Sequence, residues 1–155
     1  MSEISLLAID LAKNSFQVCG VKIECVAVFN RSVSRSRLAQ LLSDHKPCIV
    51  AMEAWVAPHC WGRMAQAQGH EVRIIPAIYV KPFVKGQKND MADAAAIAEA
   101  ASRQCMSFVA VKSAEKQARA VAFRAHQCFV RQRTQLINAL RGHLAEFGLV
   151  APKGQ

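Results

Sequence analysis

Apolar residues follow two rhythms along this chain, and the change between them divides it. Over the first half, short apolar runs alternate with polar turn residues: Ile4 to Ile9, Phe16 to Val21, Cys25 to Phe29, Cys48 to Met52 and Val72 to Ile75. Runs this short, bounded by turn residues, read as strands. The link at Lys22 to Glu24 is too short for a crossover, so the first strands form an antiparallel meander. Ser34 is placed to cap a helix to about Leu42, and Pro47 breaks the chain before the next strand. Ala57 to Gln68 reads as a helix with Pro58 in its first turn and Gly69 as its stop. Ile78 to Lys88, with Pro82, Gly86 and three lysines, fits a loop or short helix beside a ligand. From Asn89 to about Arg103 the alanines predict a helix.

The second rhythm begins near Ser113. From there to Phe147 the chain has no proline and only Gly142 as a weak point, enough for roughly 50 Å of helix. Ala118, Val121, Ala125, Phe129, Leu136, Leu140, Leu144 and Phe147 recur at spacings of mostly three and four. That pattern fits a coiled-coil arm, with Gln132 and Arg133 interrupting the seam; the alternative is an amphipathic helix folded back on the core. Gly148 and Pro152 end it.

The implied order β-β-β-α-β-α-β-α is that of the ribonuclease H-like fold, an α/β architecture in which three antiparallel strands of a mixed sheet precede parallel strands separated by helices. A doubly wound fold would demand crossover helices between the first strands.

Composition then narrows the class. A chain of 155 residues with 52% hydrophobic content has the size and apolar content of one folded domain. No apolar run approaches the ~18 residues that span a bilayer, and MSEISLLAID carries an acid and no basic leader. These features predict a cytoplasmic protein without a membrane partner. Six cysteines without a C-x-x-C pair read as small buried hydrophobes in a reducing compartment. A net charge of +9 points to a polyanionic partner. Between Lys112 and Phe147, seven basic residues stand against two acids, which accounts for five of those nine charges.

The acids carry the candidate chemistry. The chain has only four aspartates, Asp10, Asp44, Asp90 and Asp93, and two of them open the alanine-rich helix. Three residues apart on a helix is about 60° around its axis, so Asp90 and Asp93 share a face. One account is structural: Asn89 or Asp90 caps the helix and Asp93 sits favourably in its first turn. The other starts from Asp10 and Glu53, each directly following a short apolar strand, where side chains emerge at the sheet's end. If these points converge, four carboxylates are tolerable only around cations, and hard oxygen donors select magnesium or manganese. Two such ions would clamp an in-line phosphoryl displacement. Lys13, Lys81, Lys85 and Lys88, with Arg131 and Arg133 on the long helix, are candidate nucleic-acid contacts.

The segments AIDLAKNSFQV, AMEA, GHEVRIIPAIYVKPFVKGQKNDMADAAAIAEAA and RQRTQLINALRGHLAEFGLVAPKG resemble the N-terminal part of the DEDD transposases of bacterial insertion sequences, the insertion sequence 110 family, with its pilin-gene-invertase relatives. The resemblance covers essentially the whole chain. It implies a ribonuclease H-like, RuvC-like domain over 1–111, a dimerisation arm over 112–148 and a tail over 149–155. It also implies a tetrad of Asp10, Glu53, Asp90 and Asp93, divalent metal, DNA cleavage and strand exchange, and in some members a guide RNA. Two departures stand out. The family's nucleophilic serine lies in a further domain, which no segment up to Gln155 matches, so a truncated remnant or split product is expected. Trp55 and Val56 occupy positions where small residues are usual. A non-catalytic DNA-binding, dimerising module and a stand-alone junction nuclease are the alternatives to a transposase.

Overall fold

The computed structural model describes residues 4–13, 15–23, 26–55, 57–84, 89–103 and 105–152. Five strands, β1 (Leu6–Leu11), β2 (Ser15–Val21), β3 (Ala27–Ser34), β4 (Ile49–Glu53) and β5 (Glu71–Ile75), form one sheet in the order β3-β2-β1-β4-β5. Consecutive β1, β2 and β3 pair antiparallel, whereas β4 lies parallel to β1 and β5 parallel to β4. Parallel pairing needs crossovers, and α1 (Arg35–Asp44) and α2 (Pro58–Ala67) supply them. This is the ribonuclease H-like arrangement that the order of apolar runs predicts.

Both faces of the central strand β1 are covered. Its alternate residues Leu7, Ile9 and Leu11 join Leu38, Leu41 and Leu42 of α1 and Trp61 and Ala65 of α2. Those helix positions recur at three and four residues, so each helix buries one stripe. Phe16 and Trp61 meet edge to face there, with ring centroids 5.2 Å apart, and Gly62 lets α2 approach closely, because a Cβ would lie 3.1 Å from Val111. Leu6 and Ala8 face the other way, towards α4 (Asp90–Ala101). Its Ala94, Ala98 and Ala101 are buried with Ile97, and such small side chains allow the helix backbone to lie close against β1 and β2.

Ser34 caps α1 by accepting the Arg37 N–H, as its position suggests. The segment after β5 is a short helix, α3 (Ala77–Val80), running into a 3-10 turn over Lys81–Phe83. Two expectations need correction. Asp10 does not end its strand: β1 continues through buried Leu11, which pairs with Phe16, because the β1–β2 hairpin extends one residue further than the apolar run. The cysteines are not uniformly buried either. Cys19 is buried, Cys48 half-buried, and Cys60, Cys105 and Cys128 are exposed; Cys25 lies outside the described residues.

The chain divides into two compact units, Met1–Ser113 and Ala114–Gln155. The second is built on α5 (Ala114–Glu146), 33 residues without a break and without a buried residue. Gly148 in the left-handed conformation ends it: its N–H donates to the Ala145 carbonyl and the Leu149 N–H to the Leu144 carbonyl. The Arg141 guanidinium donates to the Pro152 carbonyl at 2.9 Å.

Candidate functional site

Alternation along the strands decides where the acids point. Since Leu6 and Ala8 face α4, Asp10 does too; since Ala51 faces α4, so does Glu53. The parallel register pairs Ile9 with Met52, so Asp10 and Glu53 stand side by side one residue further on. Both are half-buried.

The helix start supplies the other two. Asn89 is the N-cap of α4, its Oδ1 accepting the Ala92 N–H at 2.8 Å. That leaves neither aspartate needed as a cap. Asp90 is exposed and Asp93 half-buried in the first turn, where the positive end of the helix dipole favours carboxylates. All four acids, carried by three well-separated segments, line one cleft of about 660 Å³ together with Trp55, Ala77, Val80, Lys81 and Val84. Among the described residues no three Asp, Glu, His or Cys side chains stand close enough to hold a metal ion. The cleft therefore gathers carboxylates without forming a closed cage, and like charges sharing such a space need a cation to draw closer. In donor chemistry, four carboxylates and no imidazole or thiolate suit a hard divalent ion.

Of the basic candidates, Lys81 lines the cleft and Lys13 is exposed just past the end of β1. Lys85 and Lys88 lie outside the described residues. Arg131 and Arg133 are exposed on α5, within the second unit. Trp55 is 76% exposed at the cleft, and the Val56 position is not described. Ala57, which follows, is the one non-glycine residue of positive φ among those described, at 55°.

Two polar residues that the sequence pattern does not single out lie beside the acids. Gln17 pairs with Asp10 across β1 and β2 and is buried; its Nε2 donates to Asn30 Oδ1 at 2.7 Å. Asn30 Nδ2 in turn donates to the Met91 carbonyl, in the first turn of α4, at 2.8 Å. A polar residue inside the run Phe16 to Val21 was the available signal. His59 and His70 are structural: His59 Nδ1 accepts the Lys112 N–H, while His70 Nδ1 accepts the Cys48 N–H and its Nε2–H donates to the Leu42 carbonyl. Cys48 Sγ lies 3.5 Å from His70 Nδ1, yet burial pushes its thiol up to about 11, so the pair is no thiolate nucleophile at neutral pH.

A mixed sheet of this order with carboxylates gathered over its centre defines a ribonuclease H-like domain. Its likeness to RuvC of T. thermophilus, solved in complex with a Holliday junction substrate, has a TM-score of 0.50 at 15% identity, covering 61% of this chain and 90% of that one. The profile of the DEDD transposases of the insertion sequence 110 type, described as Transposase, matches residues 7–148, and the chain belongs to that family. It is 46% identical over 150 residues to a probable family 20 transposase of Pseudomonas aeruginosa, covering 97% of this chain and 44% of that protein. It is 39% identical over 154 residues to a putative transposase of Sinorhizobium fredii, covering 99% of this chain and 40% of that one. To the transposase for insertion sequence element IS1328 of Yersinia enterocolitica it is 38% identical over 154 residues, covering 99% and 46%. The chain thus spans less than half the length of these relatives.

Proposed function

We propose that this chain provides the metal-dependent carboxylate site of a DNA transposase, acting in cleavage and strand exchange of an insertion sequence. One observation carries the reading: Asp10, Glu53, Asp90 and Asp93, remote in sequence, line a single cleft. These four side chains would hold Mg2+ or Mn2+. When bound, the metal would supply Lewis-acid stabilisation of the charge that develops on a phosphodiester. Lys81 at the cleft and Lys13 nearby, with Lys85 and Lys88 in the same stretch of chain, would hold the backbone phosphates of DNA as point charges. Trp55 adds an exposed aromatic face for an unstacked base.

The arm completes the proposal. α5 presents Phe129, Leu136 and Leu140 exposed on one side, with exposed Phe147 directly after its end, and a second row, Phe123, Val130, Ile137 and Leu144, at strict seven-residue spacing. We assign it to self-association into dimers or higher oligomers, with Arg131 and Arg133 available to nucleic acid, DNA or a guide RNA.

A second reading, a DNA-binding and dimerising module without turnover, draws support from the open spacing of the acids, no three of which stand at metal-holding distance among the described residues. Calorimetry with Mn2+ separates the two. The catalytic reading expects binding heat for the wild type, lost in Asp10→Asn and Asp90→Ala, and metal-dependent cutting of branched DNA when the remainder of the transposase is supplied. No heat from the wild type, together with an Asp90→Ala protein unchanged in stability and DNA cleavage, leaves only the module.

A further inference from the structure

The two halves of the acidic cleft are built on different elements. Asp10 and Glu53 are fixed in the sheet by strand pairing, with Gln17 and Ile75 respectively, whereas Asp90 and Asp93 ride on the first turn of α4. That helix follows residues 85–88 and grips the sheet through apolar side chains from Ala94 onwards. Apolar contacts are non-directional, so the hydrophobic drive holds a helix down without by itself singling out one position along its axis. A hydrogen bond to the first turn does set it.

We infer that Gln17 and Asn30 form an amide strap that positions the α4 carboxylates against Asp10, and that both are positioning residues for the metal site. Gln17 and Asp10 are direct partners in the β1–β2 register, and residues so paired project to the same face. Asn30 is opposite Cys19, two residues along β2, which places its side chain diagonally next to Gln17 on that face. The amides then run in one direction: Gln17 Nε2 donates to Asn30 Oδ1 at 2.7 Å, and Asn30 Nδ2 donates to the Met91 carbonyl at 2.8 Å. Met91 lies between the two aspartates, and its exposed side chain makes no claim on the core, so the contact reads the backbone of the turn itself. The strap thus joins β2 and β3 to the helix start, with Gln17 the strand partner of Asp10.

Its chemistry suits the task. Carboxamides are neutral, so they brace the site without adding charge to it, and Gln17 is buried, where an amide left without a partner is costly. Each link therefore favours the next, and the helix start is held where both amides are satisfied.

The inference rests on the metal-site reading and is tested on the whole 155-residue chain. Asn30→Ala removes the bond to Met91 at a half-exposed position; Gln17→Met keeps the volume of the buried side chain and removes its amide. Mn2+ affinity is measured by calorimetry and the bound-ion geometry by the linewidth of the Mn2+ paramagnetic resonance spectrum, alongside melting of the metal-free protein. The expected result is an affinity loss of about ten-fold or more in both variants, the usual size for residues that orient ligands. A broadened Mn2+ signal and near-normal melting should accompany it. Variants that melt early but bind Mn2+ as the wild type does when folded overturn the positioning role and leave the metal site intact. A wild type that binds no Mn2+ removes the metal site and this role together. If one variant does not fold, the other carries the same comparison.

Discussion

At Cys48 the fold acts on a single proton. Burial lifts this thiol from an ordinary 9.0 to about 11, and raises Cys19 in the same direction. An unfolded chain loses the proton as pH passes 9.0, whereas the folded chain keeps it until about 11. The folded state is therefore favoured fully below 9 and progressively less as pH climbs towards 11. Chemical denaturation from pH 7.5 to 10.5 should show stability falling at the alkaline end, with a shallower fall in Cys48→Ala. An identical slope in the two proteins would contradict the assignment. Residue by residue, the acids were legible because a carboxylate is rare in an apolar strand run. Gln17 and Asn30 were not, since an amide in a strand has many ordinary uses and only the hydrogen bonds from β2 to α4 distinguish these two.

Among the elements, α5 has the simplest stability logic, because no tertiary burial masks its intrinsic preferences. Gly142 lies inside it in open space, with nothing within 4 Å of where a Cβ would stand, so Gly142→Ala should stabilise the helix by about 0.5–1 kcal/mol. Gly148 ends the helix at φ 73°, where Ala is strained, so Gly148→Ala should cost roughly 1 kcal/mol. Thermal melting followed at 222 nm checks both signs. The helix is readable from its length and spacing. The row Phe123, Val130 and Ile137, which meets the seam at Leu144, is harder to read, because it runs beside a seam whose own spacings of three and four already satisfy the helical period.

Whole-molecule behaviour turns on the same apolar rows. Large apolar side chains such as Phe129, Leu136 and Phe147 at 70%, 64% and 82% exposure are costly in water, and a second copy of the helix would cover them. Sedimentation should show concentration-dependent dimers, shifted towards monomer by Leu136→Glu with helix content retained. A monomer at every accessible concentration, with α5 intact, would end the dimer proposal. Among the described residues no helix is long and apolar enough to cross a membrane, consistent with the charge and hydropathy pattern.

Local chemistry alone determined the strand and helix order, the capping at Ser34, the stop at Gly148 and the acids worth watching, because each depends on residues a few positions apart. Which of those acids meet is a long-range matter: residues 10, 53, 90 and 93 share a cleft only because β4 crosses over to lie beside β1 and α4 packs on the face that their side chains reach. The amide strap belongs to the same level, since Gln17, Asn30 and Met91 come together through strand register and helix packing, neither of which spacing along the chain specifies.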